Sequence, residues 1–291
     1  MAASVVVCTC ARVELLRNCL ASVSRLDPAP GEILVIDNTP GDAHTEAIAK
    51  EFNARYAVEI RPGLSHARNR AVELASGEII AFLDDDAQPR ENWLGLMLEP
   101  FEDANVAVVT GDTFPAEMAE SAVSNALPRY ISSKDPQWFE IVTYGGLGYG
   151  TNMALRKSAC SGWKGFDVRL GRGAPLWLAE ESHAFATLLS KGYTAVHVPA
   201  AIVIHPNKPL DLEKEASSSI AYWLLLFFEF PSHRLDLIRF LSGRLLRRRL
   251  AWSRNPQEPG RIIRGGWRLY FKAGIAGVRL YFRNRRNSQR R

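Results

Sequence analysis

Five apolar residues, Ile79-Ile80-Ala81-Phe82-Leu83, run without interruption into three consecutive carboxylates, Asp84-Asp85-Asp86. Ser76-Gly77 precedes the run and Pro89 follows it. A segment so short, apolar throughout and punctuated at both ends, reads as a buried strand and not as a helix. Its end is a sheet edge, and ligands of open α/β sheets bind in the crevice beyond the carboxyl ends of the strands. Two acids one residue apart can reach one hard cation through oxygen, and a cation with open positions can also hold a diphosphate. The same tripeptide equally fits an ordinary turn that caps the helix expected from Pro89 onward.

The rest of the chain supplies a sheet around this strand. Apolar runs predict strands over residues 4–8, 31–36 and 55–60. Helical periods fall between them: Leu15, Leu16, Cys19, Leu20 and Val23 form one stripe, and further helices are expected near 45–52 and over 64–75. Thr39-Pro40-Gly41-Asp42 and Arg61-Pro62-Gly63 break the pattern. Strands alternating with helices make βαβ units with right-handed crossovers, hence an α/β fold on a parallel sheet. Polar groups gather at successive strand ends: Thr9 and Arg12, Asp37 and Asn38, Arg61, then Asp84 to Asp86. Parallel strands place those ends on one side, which predicts a single crevice.

Further along, the pattern predicts a helix over 89–101 with Trp93, Leu94, Met97 and Phe101 inward, and a strand over 106–110. Residues 114–147 are rich in Pro, Gly, Ser and aromatics with weak periodicity, the place for an acceptor-binding insertion. Strand character resumes over 149–156, a glycine-punctuated loop over 162–173 carries Arg169 and Arg172, and a helix covers 180–191. Strands over 196–198 and 202–204 close the core, the latter ending at His205-Pro206. No Gly-x-Gly-x-x-Gly follows the first strand and no Gly-Lys-Ser/Thr occurs, which argues against dinucleotide and P-loop sites.

At 291 residues and 47% hydrophobic content the chain holds one large domain, or a domain with an appendage. Its net charge of +5 conceals an asymmetry. Residues 231–291 carry 17 Lys and Arg against two acids, leaving 19 bases and 29 acids for the first 230. An acidic body with a basic tail needs an anionic partner for the tail, a membrane surface or nucleic acid. Cys8, Cys10, Cys19 and Cys160 have no metal-type pairing and read as reduced thiols. The chain opens directly into Val5-Val6-Val7 without a secretory segment, so a cytoplasmic protein is expected.

The ordered set Val7-Cys8-Thr9, Ile36-Asp37-Asn38, Arg61-Pro62-Gly63-x-Ser65-x-Ala67-Arg68-Asn69, Phe82-x-Asp84-Asp85-Asp86, Gly150-Thr151-Asn152 and an acidic pair eleven residues ahead of Gly192-Tyr193 resembles family 2 glycosyltransferases of the GT-A fold. It is most similar to the small exopolysaccharide-type members. The likeness covers roughly residues 4–206, and its specificity lies in the order of the pieces. It implies a Rossmann-like, mostly parallel sheet flanked by helices over 1–210, with a nucleotide-binding half to about 112 and an acceptor-binding half to about 210. Residues 211–291 are then a helical basic extension. The resemblance implies a nucleotide-sugar pocket made by Thr9, Arg12, Asp37, Asn38, Arg68, Asp84 and Asp85, with Asp86 on a divalent Mn2+ or Mg2+. It also implies a catalytic base at the second acid of a pair, here Glu181 of Glu180-Glu181. The family has Asp at that position, so the base here is one methylene longer, and Glu180 is the reserve candidate.

The activity so implied is inverting transfer of a sugar from a nucleoside diphosphate, a UDP-sugar above all, to a hydroxyl of a saccharide or lipid-linked acceptor. A metal would offset the charge of the departing diphosphate, and one carboxylate would take the acceptor proton. His205 is a further metal or phosphate ligand, or a structural residue; Arg169 and Arg172 are possible helpers. Arg68-Asn69 either face the diphosphate or lie on the exposed side of a helix. Trp138, Trp163 and Trp177 stack on a sugar or pack internally. Without the family pattern, Glu180-Glu181 is simply an acidic first helical turn. The competing readings are a nucleotidyltransferase and a non-catalytic membrane- or nucleic-acid-binding protein on a degenerate nucleotide fold.

The tail completes the expectation. Residues 220–228 are apolar but too short for the roughly 20 residues a bilayer span needs. The triplet Arg247-Arg248-Arg249 and the basic, aromatic-rich stretch over 261–286 suit an anionic membrane face. The processive-synthase motif Gln-x-x-Arg-Trp is absent. The expectation is a peripheral protein on the cytoplasmic face of a membrane that adds one sugar per encounter, with nucleic acid not the expected partner.

Overall fold

A computed structural model describes residues 1–39, 43–207, 211–246 and 267–288. In chain order its elements are β1 (Ala3–Thr9), α1 (Val13–Val23), β2 (Glu32–Asp37), α2 (Ala43–Glu51), β3 (Arg55–Val58), α3 (Leu64–Leu74), β4 (Ile79–Asp84), β5 (Gln88–Pro89), α4 (Trp93–Leu98), β6 (Val106–Phe114), β7 (Arg129–Ser132), α5 (Trp138–Thr143), β8 (Asn152–Arg156), α6 (Glu180–Ser190), β9 (Thr194–Ile204), α7 (Leu212–Glu229), α8 (Arg234–Leu246) and α9 (Trp267–Ser288). Among the described residues there is one nine-stranded sheet in the order β3-β2-β1-β4-β8-β6-β9-β5, with β7 also on β9. This is the GT-A arrangement of a mostly parallel sheet between helices.

β4 sits at its centre, and its alternating side chains feed two cores. Ile80 and Phe82 join Ala67 and Ala71 of α3 and Phe185 of α6. Ile79, Ala81 and Leu83 join Leu16 and Leu20 of α1 and Trp93 of α4. Each fully buried side chain of this size contributes about 1.5–3 kcal/mol, which fixes the strand's register because a one-residue slip would exchange the two sets.

β1, β2, β3 and β4 run parallel, with Thr9 opposite Asp37 and Cys8 opposite Asp84. The expected strand ends therefore share one edge. β8 is antiparallel to β4, pairing Leu83 with Asn152, so it starts at that edge and runs away from it. Gly150-Thr151-Asn152 thus reaches the crevice at the beginning of a strand, while the aspartates reach it at the end of one.

Several sequence expectations are corrected. The helix expected over 89–101 begins only at Trp93 and ends at Leu98, followed by a 3-10 turn over Glu99–Glu102. Pro89 instead pairs with Val203 in an edge strand, a position that tolerates its missing N–H, and the Arg90 N–H donates to Ile202 O. The two strands expected over 196–204 are one, β9, with a register irregularity opposite Gly111 to Thr113. The weakly periodic 114–147 stretch holds β7 and α5, too short to print a period.

The apolar run over 220–228 belongs to α7, where Ala221, Tyr222, Leu225 and Leu226 are buried in the same core as Ile80 and Phe82. The apolar character of this run is thus used in the core of the domain. α9 crosses α7 closely at Gly277, where a Cβ would lie 2.7 Å from Ser217 O, and Tyr281 stacks on Phe228 with centroids 5.5 Å apart. No described helix is long and apolar enough to cross a membrane. The Arg247-Arg248-Arg249 triplet, residues 261–266 and the Pro40-Gly41-Asp42 turn lie outside the described residues.

Candidate active site

The end of β4 turns back on itself as the Ala87 N–H donates to Asp84 O. That turn sends the three aspartate side chains to different partners. Asp84 and Asp86 face His205, which follows β9: its Nε2 is 3.0 Å from Asp86 Oδ1 and 3.6 Å from Asp84 Oδ2. Ligand atoms of these three residues lie within 4.8 Å of one another, a spacing that fits one divalent ion. His205 Nε2 is buried, yet neither contact meets hydrogen-bond geometry. Two carboxylates converging on an imidazole nitrogen so placed could hold a divalent ion. Burial lowers the affinity of His205 for a proton, but Asp84 and Asp86 outweigh it and push the pKa up to about 9. Asp84 is held below its ordinary value: burial opposes ionisation, and His205 and Arg68 overcome it.

Asp85 points the other way. Its carboxylate accepts from the Thr9 hydroxyl at 2.6 Å and from Arg12 Nε at 3.0 Å, with a second bond from Arg12 Nη2. Arg12 Nη1 also donates to Asp86 Oδ2 at 2.8 Å. Burial nevertheless lifts Asp85 to about 6, against the bonds from Thr9 and Arg12. Arg12 thus spans both acids from the loop after β1.

A second acid pair opens α6. Ala179, in the left-handed region at φ 70°, turns the chain so that Glu180 and Glu181 begin the helix, both buried. Arg68, on α3 and only 2% exposed, donates to Glu180 Oε1 at 2.8 Å and to Gly150 O at 3.0 Å, and lies 3.5 Å from Asp84 Oδ1. The exposed-helix alternative for Arg68 is therefore overturned: its guanidinium lies over the Phe166 ring and joins the two acidic groups. A Cβ at Gly150 would lie 2.7 Å from that guanidinium, the physical reason for glycine there. Asn69 is drawn in with it, binding Phe166 through both amide atoms.

Asp37 and Asn38, expected in the nucleotide-sugar pocket, are bonded within the chain at the crevice edge. Asp37 is fully buried, with Oδ1 accepting from Thr39 N–H and Oδ2 from Tyr56 OH. Asn38 donates to Glu59 O and Arg61 O and accepts from Gly63 N–H, so it pins the Arg61-Pro62-Gly63 loop to the crevice rim. Arg61 itself pairs with Glu59, whose pKa falls to about 2 chiefly through that bond, and does not enter the crevice. Arg169 is engaged by Asp167 and Glu229, and Arg172 lies over Trp177, so neither faces the aspartates. Trp138 packs on Phe139 and His233, and Trp163 on Phe166. Tyr56, Phe166, Tyr222 and Glu229 were missed from sequence, because isolated aromatics and a lone acid at a helix end carry no pattern.

The glycosyl transferase family 2 model matches residues 4–162. Among curated relatives, glycosyltransferase AglE of Haloferax volcanii is 28% identical over 236 residues, covering 76% of this chain and 74% of its own length. Succinoglycan biosynthesis protein ExoM of Rhizobium meliloti is 30% identical over 216 residues, covering 69% of this chain and 65% of its own. The chain thus spans about two thirds to three quarters of these two relatives. Among solved structures, the mannosyltransferase PcManGT of Pyrobaculum calidifontis, in complex with GDP-Man and Mn2+, superposes with a TM-score of 0.62 at 18% identity, covering 94% of this chain and 73% of that one. S. aureus TarS 1-349 in complex with UDP-GlcNAc gives 0.58 at 15% identity, covering 77% and 66%. The family match covers more than half the chain and takes in the strands that bear Thr9, Asp37 and the aspartates, so the chain belongs to glycosyl transferase family 2.

Proposed function

We propose that this glycosyltransferase moves a sugar from a nucleoside diphosphate, a UDP-sugar first among them, to a hydroxyl of a lipid-linked or polysaccharide precursor, with inversion and one sugar per encounter. The observation that carries the reading is Arg68 bonded to Glu180 and set against Asp84, which brings a metal-type group and an acid pair to one sheet edge. Asp84, Asp86 and His205 would hold Mn2+ or Mg2+, which when bound acts as a Lewis acid on the leaving diphosphate. Arg12, spanning Asp85 and Asp86, is placed to meet donor phosphate from the β1 loop. Thr9, Asp37 and Asn38 shape the wall of the nucleotide pocket.

Glu181, the second acid of the pair and the position at which the family resemblance puts the base, accepts the acceptor's hydroxyl proton, with Glu180, bonded to Arg68, in reserve. A single base opposite the leaving group inverts the anomeric centre. Residues 1–210 form the catalytic domain, divided near 112 into donor and acceptor halves, with 211–291 as a basic extension.

That extension supports docking to an anionic membrane face. On α9, Ile275, Val278 and Phe282 are exposed at i, i+3, i+7 spacing beside exposed Lys272, Arg279 and Arg283. Leu235 and Ile238 are exposed on α8. The relative named glucosyl-dolichyl phosphate glucuronosyltransferase acts, by its name, on a lipid-linked sugar, which favours the same acceptor class here and a peripheral place at the cytoplasmic face.

The test is a thermal-shift series with UDP and GDP, each with and without Mn2+, followed by donor hydrolysis. A diphosphate that stabilises only with the ion, by about 2.7 kcal/mol at a hundredfold excess over Kd, supports the reading. Equal stabilisation without the ion, or none with it, refutes it.

A further inference from the structure

Three ligand-type residues also meet behind α6: Asp167, His183 and Glu229. Arg169 already stands among them, bonded to both Asp167 and Glu229, so the positive charge such a group needs is supplied by the chain itself. Each member comes from a different part of the fold. Asp167 and Arg169 belong to the loop before α6, His183 lies two residues past Glu181, and Glu229 ends α7. His183 Nε2 is 2.8 Å from Glu229 Oε2. Burial works against the Glu229 charge, but His183 and Arg169 hold its pKa below the ordinary value.

The loop and helix so gripped carry the acid pair. Leu170 N–H donates to Asp167 O, and at Gly171, φ +95°, a Cβ would lie 2.9 Å from Glu180 Cδ. His183 N–H donates to Ala179 O, closing the turn that starts α6. Tyr222 of α7 is buried, and its hydroxyl makes no hydrogen bond. Burial foremost, with the charges of Glu181, Glu229 and Glu180, holds that phenol protonated.

We infer that Glu229, contributed by the C-terminal extension, is a positioning residue for Glu181: through His183 it fixes the first turn of α6, and through Arg169 it fixes the loop packed on Glu180. The role of Glu181 rests on the proposed function; the mechanical coupling does not. Glu229 bonds to His183 and Arg169, and its path to Asp84 runs only through Glu180 and Arg68, which keep their own bonds to each other and to Gly150, so donor and ion binding are expected to change little.

The experiment compares wild type with Glu229→Gln and Glu229→Asp in the full chain. In Glu229→Gln, amide hydrogen exchange is expected to quicken about tenfold at residues 167–171 and 180–184 and to stay unchanged at 79–86, as loss of a charge-assisted pair implies. Sugar transfer is expected to lose about tenfold in kcat with donor KM and Mn2+ affinity within twofold, and Glu229→Asp is expected to recover part of the loss. Unchanged exchange at 180–184, or exchange that quickens equally at 79–86, overturns the coupling. Wild-type protein that transfers no sugar would sink the proposed function, while the exchange comparison still decides the coupling.

Discussion

Arg68 Nη1 donates to Glu180 Oε1 at 2.8 Å although 112 residues separate the two along the chain. Neither partner is more than 6% exposed, so each is the other's main compensation for lost water. Burial alone would lower the pKa of Arg68, yet Glu180 and Asp84 raise it above its ordinary value. The pair is also what joins the β4 aspartates to the α6 acids, so stability and site geometry depend on one guanidinium.

Arg68→Ala is therefore expected to destabilise the fold by about 3–5 kcal/mol, since it strands a buried carboxylate. Arg68→Lys is expected to fall between it and wild type, because a point charge cannot reach Glu180 and Gly150 O in the fork geometry. Urea denaturation measures both. A loss under about 1 kcal/mol for the alanine variant would mean that the pair is screened as a surface pair is.

The ion site makes a pH prediction. In the metal-free protein His205 is raised from 6.5 to about 9, so its ion pair stabilises the fold fully below pH 6.5 and the benefit is lost as pH rises through 9. A divalent ion needs the neutral imidazole and must displace that proton. Mn2+ affinity is thus expected to rise about tenfold per pH unit between pH 7 and 8.5, with close to one proton released. Calorimetry in two buffers of different ionisation enthalpy reads the proton directly. Identical heats in the two buffers would exclude His205 as a ligand, and in His205→Ala the buffer dependence is expected to vanish.

Glu181→Gln keeps the shape of α6 and removes the proposed base. Turnover is expected to fall by about 10²–10⁴-fold with the dissociation constant of the donor unchanged. Glu180→Gln, by contrast, is expected to lose stability along with rate, because it removes the charge that compensates the buried Arg68 guanidinium. Steady-state kinetics with equilibrium donor binding separates the two. If Glu180→Gln alone abolishes turnover while stability holds, the roles are reversed.

The strand-helix alternation over residues 4–84 was legible because long apolar periods and Pro-Gly breaks are local signals, and the resulting elements agree within a few residues. Asp84, Asp86 and His205 could be nominated for one site, but only the topology places a residue after β9 beside the end of β4. Arg68 was ambiguous for the same reason: helix periodicity leaves it polar on a mostly apolar face, and nothing local says that Glu180 waits opposite. For Asp37 and Asn38 the sequence shows polar strand ends and not the bonds they make to Thr39, Tyr56 and the 59–63 loop. A polar strand end announces a crevice without saying which of its residues face the ligand and which build the wall. The antiparallel entry of β8 left no trace at all, since strand direction is set by pairing and not by composition.

The membrane proposal needs a test other than truncation. Removing α8 and α9 would uncover the Phe228 to Tyr281 stack and the Gly277 crossing, so lost vesicle binding would be confounded with damaged packing. Substitutions confined to the outer face of α9 avoid this. Lys272, Arg279 and Arg283 are exposed and form no salt bridge among the described residues, and each base near an anionic surface contributes about 1 kcal/mol. Lys272→Gln, Arg279→Gln and Arg283→Gln together are expected to weaken binding to vesicles with anionic lipid by about 3 kcal/mol, roughly a hundredfold. Ile275→Ser and Phe282→Ser are expected to weaken it further and with little salt dependence, whereas the charge effect shrinks as salt rises. Vesicle flotation at two salt concentrations reads both. Binding that survives all five substitutions would place the docking face elsewhere, because α9 offers no other exposed apolar stripe beside bases among the described residues.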